Sequence, residues 1–186
     1  MATAETLQTL SRYQGDITPA LARFNPSSGD LGGATKVKLP YGTGELADRH
    51  KQYLTSRNFD PDKLTSEWGL LGTGPVGPFA RRIIIPVIQN GKLVSFQGRD
   101  ITGKAKSKYK SCPDSESVIP IKSCLYGLDK VTGDSVIVTE GPTKVWRLCS
   151  GSVCTFGAAA TSSQVKMLKR FRRVFILFDE DEAGAE

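Results

Sequence analysis

The stretch SVIVTEGPTKVWRLCSGSVCTFG, Ser135 to Gly157, decides the fold class. Val136, Ile137 and Val138 form a short apolar run closed by Glu140 and Gly141, the pattern of a buried strand. Pro142 then suits the first position of a helix, where its missing N–H is one the helix leaves unpaired anyway, and PTKVWRLCS continues as that helix. SVCTFG reads as a second strand. Further on, TSSQVKMLKRF sets Thr161 and Gln164 at capping-box spacing and puts Val165, Leu168 and Phe171 on one face. RVFILFD is a third strand. The order strand, helix, strand, helix, strand implies a parallel sheet with right-handed crossovers.

That third strand runs straight into Asp179, Glu180, Asp181 and Glu182. Like charges packed this closely repel one another unless water or a cation compensates. In a parallel α/β sheet, ligand groups gather beyond the carboxyl ends of the strands, which is where Glu140 and Asp179 fall. Asp181, two residues beyond Asp179, points the same way if the extended conformation persists. A solvated acidic turn would explain Asp179 to Glu182 alone. The conjunction of Glu140-Gly141 at one strand end with Asp-x-Asp at another favours a site for a hard divalent ion such as Mg²⁺.

Upstream the period changes. RRIIIPVIQNGKLVSFQGR places Asn90-Gly91 between an apolar run and an alternating one, which predicts a hairpin from about Ile83 to Arg99. Before it, Leu46, His50, Tyr53 and Leu54 recur at helical spacing, and Asp60 followed by Pro61 opens a second short helix. The first 45 residues are weakly patterned, with loops at Asn25–Gly33 and Pro40–Gly44, and read as a leader or linker. After the hairpin comes the basic loop GKAKSKYKS, then short apolar pieces at Val118–Ile121 and Leu125–Leu128. The expected class is therefore α/β: an α+β N-terminal lobe followed by a sheet of mostly parallel strands.

Composition narrows the partners. The 186 residues are 39% hydrophobic and carry a formal charge of +6, which suits a globular protein with a polyanionic ligand. No apolar run is long enough to span a membrane and Met1–Leu10 is no secretory signal, so a cytoplasmic setting without membrane contact is expected. Cys112, Cys124, Cys149 and Cys154 form no C-x-x-C pair and are expected to be reduced and mostly buried. With His50 the single histidine, a zinc site is not expected. Trp68 and Trp146 read as core residues, and KMLKRFRR as a basic surface helix end.

These residues carry a family resemblance. VIVTEGPTKVWRL, FGAAATSSQVKML and VFILFDEDEAG resemble the Glu-Gly motif, the middle strand-helix turn and the Asp-x-Asp motif of the TOPRIM fold of bacterial-type primases and topoisomerases. YLTSRNF, RRIIIPVIQNGKLVSFQGRD, KSKYKS and LYGLDKV are similar, in the same order, to the N-terminal lobe of the RNA polymerase domain of bacterial and phage primases. The resemblance runs from about Tyr53 to Gly184. It divides the chain into a leader at 1–45, a basic primase lobe at 46–132 and a TOPRIM domain at 133–186 that lacks its usual continuation.

By similarity the activity is primer synthesis: metal-dependent joining of ribonucleoside triphosphates on a single-stranded DNA template, with Mg²⁺ or Mn²⁺ as cofactor. Such a role makes a replicative helicase a further candidate partner. Glu140, Asp179 and Asp181 fall on the family's acidic positions. Arg99 falls on the arginine of its F-x-x-R pattern, and Lys108 with Tyr109 on its K-Y pattern, in a basic cleft taken to hold template and nucleotide. Lys144 stands where the family usually has an acid, and is expected to reach a phosphate or Glu140. Without the usual continuation, the chain is expected to be a fragment with little activity alone. A TOPRIM nuclease or topoisomerase fragment, or a non-catalytic TOPRIM nucleic-acid-binding protein, are the alternatives; the nuclease or topoisomerase reading gives no reason for the upstream hairpin and LYGL.

Overall fold

The computed structural model describes residues 35–179, so the leader before residue 35 and the acidic run from 180 onward lie outside the described residues. The described chain forms two compact units, one from residues 35–87 and 93–121 and the other from 88–92 and 122–179.

The first unit is built on a five-stranded sheet in chain order: β1 (Thr43–Gly44), β2 (Leu71–Thr73), β3 (Arg82–Gln89), β4 (Lys92–Asp100) and β5 (Tyr109–Ser111). The predicted hairpin is β3–β4. Asn90 and Gly91 have φ of 54° and 70°, the left-handed pair that a two-residue turn needs to match strand twist. Pro86 is tolerated in β3 because the β2 pairing ends at Leu71–Ile84, short of the proline. Part of the expected loop at Pro40–Gly44 is instead β1, whose Thr43 pairs with Thr73.

Two helices precede the long strands, α1 (Asp48–Thr55) and α2 (Pro61–Trp68). The Asp60 carboxylate caps α2 by accepting from the Asp62 and Lys63 N–H groups, and Gly69, at φ 64°, ends it. His50 on α1 is buried, as are Leu54, Leu64 and Trp68. The core joins Phe79, Ile84, Phe96 and Cys112 with Val37, a residue of the weakly patterned N-terminal stretch. Phe79 and Phe96 meet edge to face, 5.1 Å between centroids. Gly98 lets them close, since a Cβ there would stand 2.8 Å from the Phe79 ring.

The second unit contains the alternation read from Ser135 onward: β6 (Ser135–Thr139), α3 (Pro142–Leu148), β7 (Ser152–Cys154), α4 (Ser162–Leu168) and β8 (Arg173–Ile176). Its three strands are parallel in the order β7-β6-β8. The predicted capping box on α4 is present, with Gln164 Oε1 accepting from the Thr161 N–H at 2.9 Å. The same buried amide donates to the Cys124 and Thr155 carbonyls at 2.8 and 3.0 Å, so one residue caps a helix and ties two loops. The core joins Leu125, Leu128, Val136, Val138 and Val153, with Leu168 and Phe171 packed against it. Val165, expected on that face, is exposed. Trp146 is buried and donates to the Tyr126 hydroxyl at 2.9 Å.

Strand β8 is different in kind. Val174, Phe175, Ile176 and Leu177 are all exposed, Ile176 to 71%. Consecutive residues of a strand point to opposite faces, so both faces of β8 present apolar surface. Cys112, Cys124 and Cys154 are buried, and burial raises all three thiols above their ordinary range, Cys112 to about 11. Cys149 is exposed.

Candidate active site

Strand order explains why two distant carboxylates meet. The chain leaves β6 for β7 on one side and returns as β8 on the other, so β6 and β8 flank a topological switch point, where open α/β sheets bind ligands. Their register pairs Val138 with Ile176, and the Leu177 N–H reaches the Val138 carbonyl at 2.8 Å. One step further the ladder passes to a side chain: the Asp179 N–H donates to Glu140 Oε1 at 2.6 Å. Backbone pairing thereby brings residues 39 positions apart to one rim.

A cation already sits there. Lys144, one turn into the chain after Glu140, places its Nζ 2.8 Å from Asp179 Oδ1 and 3.8 Å from Glu140 Oε1. Of the two routes expected for Lys144, the structure displays the acidic one. Asp181 lies outside the described residues, and among those described no three His, Cys, Asp or Glu side chains converge. Glu140 and Asp179 nonetheless supply two oxygen ligands on one rim, which fits Mg²⁺, an ion held through one or two carboxylates with water and phosphate completing its shell.

The basic set lies on the sheet of the first unit. Arg99, at the end of β4, is only 2% exposed. Its guanidinium donates to the Tyr53 hydroxyl at 2.7 Å and to the Tyr109 hydroxyl, and lies 5.7 and 4.9 Å from the two ring centres. Arg99 was expected in a basic cleft for template and nucleotide; here its Nε and one terminal nitrogen hold two phenols, which it positions. Lys108 is exposed. Tyr109 is half-buried beside Arg99.

Arg82 was not singled out by the sequence. It is buried and donates to the Gly98 and Ser107 carbonyls, both at 3.1 Å, and to that of Lys108 at 3.4 Å. The Asp100 N–H also donates to the Lys108 carbonyl at 2.9 Å. Asp100 in turn accepts from the Gly103 N–H at 2.7 Å and from the Thr102 hydroxyl. Burial opposes ionisation of this carboxyl, but the Thr102 and Gly103 hydrogen bonds outweigh it and hold Asp100 below the usual carboxylate range. The loop carrying Lys104, Lys106 and Lys108 is thus anchored by its backbone while its ammonium groups stay in solvent.

The chain is similar to known proteins in sequence and in fold. The family described as DNA primase catalytic core, N-terminal domain, matches residues 45–132. A DNA primase of Synechococcus elongatus is 30% identical over 169 residues, covering 81% of this chain and 24% of its own length. The chain spans about a quarter of the length of the curated relatives it matches. Among solved structures, a DnaG catalytic core is similar with a TM-score of 0.59 and 21% identity, over 74% of this chain and 57% of that one. A DnaG primase catalytic domain bound to single-stranded DNA is similar with a TM-score of 0.57 and 19% identity, over 98% and 64%.

Proposed function

We propose, from the match of residues 45–132 to the family described as DNA primase catalytic core, N-terminal domain, that the chain serves primer synthesis, joining ribonucleoside triphosphates on a single-stranded DNA template. The observation that carries the reading is the meeting of Glu140 and Asp179 at the carboxyl ends of adjacent parallel strands. A similar solved structure is of a primase domain bound to single-stranded DNA, which supports the choice of template.

In this proposal Glu140, Asp179 and Asp181 hold Mg²⁺ or Mn²⁺. When bound, such an ion neutralises triphosphate charge and lowers the pKa of the attacking hydroxyl. Lys108 contacts phosphate from the anchored basic loop, and Tyr109 offers a half-buried ring whose orientation Arg99 fixes. Residues 46–132 act as the basic lobe and 133–186 as the TOPRIM part. A replicative helicase is a candidate partner.

The test is primer synthesis on single-stranded DNA with labelled ribonucleotides, using the 186-residue chain, the same chain extended with any native downstream sequence, and Glu140→Gln in each. Metal-dependent ribonucleotide products that Glu140→Gln reduces at least about a hundredfold support the reading, given the 10² to 10³ typical of losing one charge-stabilising group. Products that are equally abundant with Glu140→Gln would overturn it. DNA binding without product in any form favours the non-catalytic alternative, to which the Lys144 ammonium on both carboxylates also lends weight.

A further inference from the structure

The acidic rim contains a positive charge of its own. An isolated pair of carboxylates at a strand end needs a counter-charge, and here the ammonium of Lys144 supplies it, 2.8 Å from Asp179 and 3.8 Å from Glu140. The arrangement is held on three sides. Glu140 is fixed by the Asp179 N–H, Lys144 springs from the first turn of α3, and Pro142 is buried at the start of that turn. Both Lys144 and Glu140 are mostly shielded, with about a quarter of each side chain in solvent.

Resting on the metal-dependent reading above, we propose that Lys144 is a built-in counter-ion that sets the divalent-metal requirement of this site: a divalent ion binds Glu140 and Asp179 only by displacing its ammonium. Two cations crowded onto one pair of carboxylates compete for the same negative charge. A divalent ion and an ammonium held about 4 Å apart repel strongly enough, even in a watery dielectric, to cost tenfold or more in affinity. The lysine stem has rotatable bonds and partial exposure, so the ammonium can swing into solvent when the ion arrives. Metal occupancy is thereby shifted to higher free concentration, and the empty site carries no uncompensated acid pair.

The inference predicts a charge series. Mn²⁺ binding is followed by electron paramagnetic resonance of the free ion on the full chain, without nucleotide or DNA, for the parent, Lys144→Arg, Lys144→Gln and Lys144→Met, each also with Glu140→Gln. The neutral variants are expected to bind Mn²⁺ about tenfold more tightly than the parent, with Lys144→Arg within about threefold of it. Glu140→Gln should cancel the gain. Two neutral variants of different shape guard against one that folds poorly. Parental or weaker affinity in both, with Glu140→Gln still lowering binding, would overturn the role of Lys144 and leave the metal reading intact. Mn²⁺ affinity insensitive to Glu140→Gln in every background would remove both.

Discussion

Replacing Arg82 by methionine keeps the apolar stem and removes the guanidinium that anchors the basic loop. Three carbonyls lose a donor, but not equally. The Lys108 carbonyl retains the Asp100 N–H. In β4–β5 the Phe96–Cys112 and Asp100–Lys108 positions are hydrogen-bonded, and the pair between them, Gly98–Lys110, shares their parity, so Gly98 keeps a ladder partner. Ser107 loses the 3.1 Å bond from Arg82. Charge-assisted hydrogen bonds contribute about 1.5–3 kcal/mol each, and two here are of ordinary length; relief of the buried charge offsets part of that. The net cost is about 2–3 kcal/mol, concentrated in β4–β5 and the loop. Native-state hydrogen exchange reads this directly: the Asp100 amide should exchange about 30- to 150-fold faster in Arg82→Met, while Ile137 in the other sheet is unchanged. Asp100 protection within threefold of the parent would refute the anchoring role of Arg82.

Other consequences are open to measurement. Gly72→Ala places a Cβ 2.7 Å from the buried His50 ring and should lower urea stability by about 1–3 kcal/mol, whereas Gly44→Ala, with nothing within 4 Å, should stay within about 0.5. Burial, followed by the nearby Arg49 charge, lowers the pKa of His50 below its ordinary 6.5, so the unfolded chain binds the proton more readily. His50 therefore contributes stability that is fully present above about pH 6.5 and is lost as pH falls toward its lower folded value; subtracting urea melts of His50→Gln from the parent should show that slope, and a flat difference would contradict it. Lys108→Ala should reduce the salt slope of single-stranded DNA binding by about 0.7, the share of one phosphate contact, and an unchanged slope would make Lys108 a bystander.

Local chemistry made some of this legible. Asn90-Gly91 announces the hairpin because few other residue pairs accept two left-handed conformations, and Thr161 with Gln164 announces α4 because the box is made within a single turn. The strand-helix alternation from Ser135 places Glu140 and Asp179 at one rim by topology alone, which is why that half of the site was readable. Arg99 was not. An arginine at a strand end looks the same in sequence whether it meets solvent or two phenols, and Tyr53 lies 46 positions away. Arg82 was hidden for the same reason, beside Arg81, which is exposed. Val37 carries no periodic signal because a single buried residue has no period. Lys144 drew notice only through its departure from a family pattern, and its double contact with Glu140 and Asp179 depends on β8 having docked.

The strand order β7-β6-β8 also sets a sequence of events in time. The two acidic halves of the rim belong to β6 and to the residues after β8, so they meet only when the chain has closed a span of 39 residues. Closure of longer loops is slower to nucleate, and β6–β7 pairing, across the short α3 connection, can precede it. During synthesis Glu140 and Lys144 emerge well before Asp179. A growing chain thus passes through a stage in which Lys144 has Glu140 alone as its acidic neighbour on this rim. The order in which the residues are written completes the Glu140–Asp179 pairing only once β8 is in place.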